Sequence, residues 1–111
     1  MRALIAAFFS VVIAASELAA AEAILHARDV RSLQVLEAAR RPPTLMITGT
    51  ANGAVSVESI STEIRGDSLY VLVEIGPARP RLSPSFEFSV VVPEGIAHVR
   101  FGPDGEQIWP R

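Results

Sequence analysis

Cysteine and lysine are both missing from this 111-residue chain, and each absence removes a set of chemistries. Without cysteine there is no disulfide framework, thiol nucleophile, zinc–thiolate site or lipid-modified thiol. Small exported domains often depend on disulfides, so a domain of this kind must be held by apolar packing and backbone pairing alone. Without lysine, no Ser-x-x-Lys catalytic pair can form, and all ten basic residues are arginine. Aromatics are scarce at 6%, with one Trp and one Tyr. The formal net charge of −2 gives no electrostatic footprint for nucleic acid or an anionic membrane.

The N-terminal stretch, by contrast, is distinctive. Met1 and Arg2 form a short positive segment, and Ala3 to Ala15 is an apolar run of 13 residues broken only by Ser10. Leu18-Ala19-Ala20-Ala21 then supplies small residues. This layout is that of a cleaved export signal, since the apolar run falls short of the ~20 residues that span a bilayer. The expected organisation is a signal peptide at 1–21 followed by one domain at 22–111, which carries 11 acidic and 9 basic residues. Export is therefore expected, to the periplasm in the first instance or to the medium, with no stable membrane anchor after cleavage.

From Thr44 onward, apolar residues recur at every second position between Gly, Pro, Asn and Asp punctuation, the pattern of short strands. Thr44 to Thr48 is followed by Gly49 and the turn signal Asn52-Gly53. Val55 and Val57 are odd-numbered whereas Ile60, Thr62 and Ile64 are even, so a β-bulge or break is required at Glu58-Ser59. Gly66-Asp67 fits a two-residue hairpin loop, which fixes a register: Ile64 opposite Leu69, Thr62 opposite Val71, Ile60 opposite Val73. Tyr70 and Leu72 make the second face apolar too, so Leu69 to Ile75 reads as a central strand.

Gly76 to Pro84 contains three prolines and reads as a loop. Phe86 to Val92 alternates cleanly, and Ala97 to Phe101 pairs through a turn at Pro103-Asp104-Gly105 with Glu106 to Trp109. A three-residue loop there turns Trp109 inward, and a four-residue loop turns Ile108 inward. Residues 22–41 carry helix-forming composition, but Leu33 and Val35 alternate with polar neighbours, which favours a strand from about Val30 to Glu37 over a helix. The fold class is therefore all-β: a single small antiparallel β-sandwich of about seven strands. It resembles the immunoglobulin and fibronectin III architecture without the cysteine pair and core Trp of antibody domains. The expected core is Leu45, Ile47, Ile60, Ile64, Leu69, Val71, Val73, Phe86, Phe88, Val90, Val99 and Phe101.

No catalytic, cofactor or metal constellation stands out. His26 and His98 lack metal-ligand spacing, and no Gly-x-Ser-x-Gly elbow is present. Arg65-Gly66-Asp67 is an integrin-type tripeptide, yet Gly-Asp is what the turn needs sterically. Glu63, Glu74 and Glu87 face outward, as charges on solvated strands do. The candidate binding site is Arg79, Pro80, Arg81 and Leu82, because an extended Pro-rich loop with fixed charges suits a protein partner. The sequence thus points to a non-enzymatic exported binding domain without cofactors, whose partner is another exported or envelope protein. A carbohydrate- or wall-binding module, with Tyr70 and Trp109 as its platform, is the alternative, and a small hydrolase using the outward carboxylates comes third. Intact-mass measurement of the exported protein is expected to show a chain starting at Glu22; a species retaining Met1 to Ala21 would contradict the signal peptide.

Overall fold

The computed structural model describes residues 23–110; the expected signal peptide at 1–21 lies outside them. The fold is all-β, with eight strands: β1 (Ala23–Ile24), β2 (Val30–Arg40), β3 (Pro43–Ala51), β4 (Val55–Arg65), β5 (Ser68–Pro77), β6 (Ser85–Val91), β7 (His98–Phe101) and β8 (Glu106–Trp109). Two sheets pack as a sandwich. One holds β2, β3 and β6 with β3 central; the other holds β4, β5, β1, β7 and β8. The stretch that composition alone left open between helix and strand is the long strand β2, preceded by a short 3-10 turn at Ala27–Asp29.

β5 organises the larger sheet. Along one side it pairs with β4 from end to end, in the register that the Gly66-Asp67 loop dictates: Ile64 with Leu69, Thr62 with Val71, Ile60 with Val73. The parity change in β4 is met by a bulge between Val57 and Ser59. Along its other side β5 pairs first with β7, over Ser68 to Val71, and then with β1, at Glu74 and Ile75. The backbone bonds Gly102 N–H to Val71 O (3.0 Å) and Leu25 N–H to Val73 O (2.8 Å) join the two segments. Gly102 is required at this junction: its φ is +77°, and a Cβ there would meet the Leu25 carbonyl oxygen at 2.7 Å.

The β5–β7 pairing is parallel, a departure from the antiparallel pattern that short strands and turns suggest. Its cause is the path of the chain. After β5 the chain crosses to the other sheet, runs back as β6, and returns as β7 from the end where β5 began, and parallel neighbours need a crossover of this kind. β5 also extends to Pro77, so Gly76 and Pro77 belong to the strand, paired with Ser56 and Val55, rather than to the loop. Proline is tolerated there because it is the last residue of the strand.

The core is built from Leu45 and Ile47 of β3, Leu69, Val71 and Val73 of β5, Phe86 and Val90 of β6, and Val99 and Phe101 of β7, joined by Leu25, Val92 and Ile108. The rings of Phe86 and Phe101 stack at 6.0 Å across the sandwich. At the β7–β8 turn both readings of the hairpin are partly realised. Phe101 pairs with Glu106, which leaves a four-residue loop and turns Ile108 into the core; a register shift then sets Trp109 opposite Val99.

One expected core residue is not there. Ile64 is 55% exposed, whereas its cross-strand partner Leu69 is 3% exposed. Both side chains point to the same side of the sheet, so the three-stranded sheet covers β5 at this end and stops short of β4. Ile60 of β4 is half-buried for the same reason, and Phe88, on the marginal strand β6 of the opposite sheet, is also half-buried, both packed against the core. Truncating Phe101 to Ala is expected to cost about 3–5 kcal/mol, and truncating Ile64 to Ala well under 1 kcal/mol, since surface changes are usually within ~0.5 kcal/mol. Chemical denaturation of the two variants checks this; equal shifts in midpoint would show the cover to be misread.

Candidate functional site

The Pro-rich loop between β5 and β6 is fastened to the start of β4. Arg79 N–H donates to Ser56 Oγ at 2.9 Å, Val57 N–H to Ser83 O at 2.8 Å, and Ala51 N–H to Pro84 O at 2.8 Å. The Arg79 guanidinium reaches the carboxylate of Glu58 at 3.4 Å. Glu58 sits over Gly76, where any Cβ would come within 2.7 Å of the carboxylate. Arg79 therefore acts as an internal tie. Pro80, Arg81 and Leu82 are exposed at the apex, and a turn bond from Leu82 N–H to Arg79 O (3.2 Å) shapes it. Of the two arginines read as docking charges, only Arg81 is left outside an ion pair among the described residues.

Holding the loop in place has a consequence for β4. Val57 N–H is bonded to the loop, so the free side of the strand is covered over its first residues. Beyond the bulge no strand among the described residues pairs with that side, because β4 lies at the margin of its sheet. In a two-residue hairpin Arg65 and Ser68 form the hydrogen-bonded pair next to the loop. Counting back, Glu63, Ser61 and Ser59 bond to β5, while Ile64, Thr62 and Ile60 direct their N–H and C=O groups away from it. The side chains of these three residues lie on the inner face, where Ile60 is half-buried and Thr62 and Ile64 are exposed. A bare backbone edge and a partly uncovered β-branched row thus coincide over Ser59 to Arg65.

The other strand margins are shaped differently. β2 is interrupted by register shifts between Arg31 and Gln34 and between Glu37 and Ala39, the first containing Ser32 at φ 57°. Bulges of this kind twist an edge away from further pairing. β8 is only four residues long, and β6 turns Phe86 and Val90 into the core. Leu36, on the outer face of β2, is 62% exposed but isolated from a regular edge by these shifts.

The remaining candidates from the sequence are separated by the fold. Glu63 and Glu74 lie on the outer face of the larger sheet, engaged by Arg65 and Ser59. Glu74 pairs beside Ser59, four residues from Glu63, which is roughly 13 Å along a strand and beyond the ~5–9.5 Å of a glycosidase pair. Glu87 belongs to the other sheet. Tyr70 packs beneath Arg65 and against Gly105, whereas Trp109 lines a cleft with Leu33 and Val35 of β2 and donates to Glu37, so the two rings lie in different surroundings. His26 and Arg28 both donate to Asp104, at 2.9 and 3.0 Å, tying the N-terminal segment to the β7–β8 turn. Among the described residues no group of three or more His, Asp or Glu is arranged to hold a metal. An end groove of about 490 Å³ lies between Arg40–Pro43 and Val92–Ile96; no local pattern in either segment signals it, since the two meet only through sheet pairing.

The Arg65-Gly66-Asp67 tip is exposed, with Gly66 at φ 62°, as the turn demands. Its arginine is engaged from both sides. It donates to Glu63 at 2.9 and 3.2 Å and lies 4.3 Å above the Tyr70 ring. The hydrogen bonds and charge of Arg65 hold the Glu63 carboxyl below its ordinary 4.5, and the hydrogen bonds to Glu63 in turn raise the Arg65 guanidinium. A lowered carboxylate favours the folded state above its unfolded value, and this contribution is lost as pH falls through the lowered folded value. Both groups are exposed, so the effect on stability is small. Carboxyl titration by NMR is expected to place Glu63 below the ordinary range in the wild type and return it there in Arg65→Ala; an unchanged titration would show that the pair does not form in solution.

No protein-family model, characterised protein or solved structure matches the chain.

Proposed function

We propose that this is a non-enzymatic, exported protein-binding domain that captures a partner polypeptide of its own compartment by strand addition at the distal half of β4. The observation that carries this reading is the coincidence over Ser59 to Arg65 of an unbulged, unpaired edge and the exposed inner row ending in Ile64. An added strand satisfies the outward N–H and C=O groups and covers the apolar row with its alternate side chains, which is the recognition mode of sheet-augmenting domains. Natural edges without a partner are usually guarded by bulges, charges or prolines. β2 is guarded in this way, and the first part of β4 is covered by the Pro-rich loop. The loop apex at Pro80, Arg81 and Leu82 is a second contact surface, next to the edge and exposed.

The test is capture from an envelope extract of cells that also produce the untagged protein, with captured chains identified by mass. Thr62→Pro removes an outward N–H at an exposed edge position, where proline is tolerated, and is expected to abolish capture; Arg79→Ala with Arg81→Ala is expected to reduce it far less. Loss with the arginine pair and retention with Thr62→Pro would move the site to the loop. Retention on polysaccharide without any protein partner would favour the wall-binding reading. Glycan hydrolysis dependent on Glu74 or Glu87 would overturn a non-enzymatic role.

A further inference from the structure

The strand that best fits the bare edge of β4 is β4 itself. Two antiparallel copies are related by a two-fold axis perpendicular to the sheet, so opposed residues lie on the same face and their positions add to a constant. The outward-directed residues Ile60, Thr62 and Ile64 are centred on Thr62. With Thr62 opposite Thr62 of the second copy, Ile60 opposes Ile64 and Ile64 opposes Ile60. All three are then hydrogen-bonded pairs, giving about six backbone bonds, two per opposed pair. On the inner face the exposed Ile64 packs beside Ile60 of the second copy. On the outer face Ser61 opposes Glu63 and Ser59 opposes Arg65, so no like charges meet.

Neighbouring registers are worse for identifiable reasons. Centring on Glu63 places two carboxylates directly opposite each other, which is destabilising. Centring on Ser61 puts Ile64 against Glu58, beside the bulge between Val57 and Ser59. Centring on Ile64 runs off the end of the strand, because Gly66 already belongs to the turn. Charge, side-chain face and hydrogen-bond phase therefore select one register. We infer that the protein is a homodimer in which the two larger sheets join through β4 about Thr62. The inference rests on the strand-addition reading and names its partner as a second copy of this chain.

The two can fail separately. Light scattering or sedimentation of the purified protein is expected to show its mass rising two-fold with concentration. Thr62→Lys and Thr62→Glu, each setting like charges across the axis at an exposed position, are each expected to remain monomeric, and an equimolar mixture to recover the doubled mass as a heterodimer. Hydrogen exchange should show protection of the Ile60, Thr62 and Ile64 amides that appears with the dimer and is absent from either variant alone. A wild type that stays monomeric at every concentration would overturn the second copy as partner, and capture of a different chain through the same amides would then leave strand addition standing. A dimer unaffected by either Thr62 substitution would also overturn the inference, because its contact would lie at another surface.

Discussion

The fold depends on the complete pairing of β5. Its inward side chains Leu69, Val71 and Val73 form the floor of the core, and both of its backbone edges are bonded along nearly the whole strand. A central strand in a domain without disulfides has to be secured in this way, because burying backbone N–H and C=O groups without partners costs more than the apolar contacts of one small side chain return. The solution divides one edge of β5 between two segments far apart in the chain, β7 and β1, which meet at Gly102. The close approach of Gly102 to the Leu25 carbonyl shows how little room the junction leaves. From this arrangement the rest follows: β4 is placed at the margin, β6 is sent to the opposite sheet, and β7 is set parallel to β5.

The same economy of material explains where surface is left uncovered. A three-stranded sheet cannot roof a sheet whose strands lie side by side as β4, β5, β7 and β8. The core is sealed over β5 and β7, and the shortfall falls on β4. The Pro-rich loop makes up part of it, with Ser56, Val57 and Glu58 as anchor points. Its reach ends at the bulge. Arg79, which in isolation looks like a docking charge, is part of this local closure, whereas Thr62 and Ile64 beyond it are left exposed.

Much of the fold was legible because its local signals are geometrically strict. Gly66-Asp67 admits a two-residue loop, and a two-residue loop permits one register, so every pair from Ile60–Val73 to Arg65–Ser68 follows. The parity change between Val57 and Ile60 likewise demanded the bulge. What alternation does not disclose is how far the opposite sheet extends. Ile64 shares its face with Leu69 and was read as core on that ground, yet facing inward and being covered are different properties. The parallel β5–β7 pair was illegible for a related reason, since it is fixed by a crossover through the other sheet rather than by any turn. Ile108 and Trp109 could not be resolved because a four-residue loop and a later register shift act together. The candidate loop was found by composition, but its anchoring to Glu58 and Ser56 depends on contacts more than twenty residues apart.

The divided edge of β5 also bears on the order in which the chain can fold. The β4–β5 hairpin is local and needs only its own turn, but the pairings that complete β5 come from Ala23–Ile24 on one side of it in sequence and from His98–Phe101 on the other. Contacts of such long sequence separation slow folding. A chain emerging from its N-terminus has to wait for nearly its whole length before its central strand can be satisfied on both sides. Until then Leu69 to Val73 offer an open template. The larger sheet of a chain built like this closes only after its last strands have arrived.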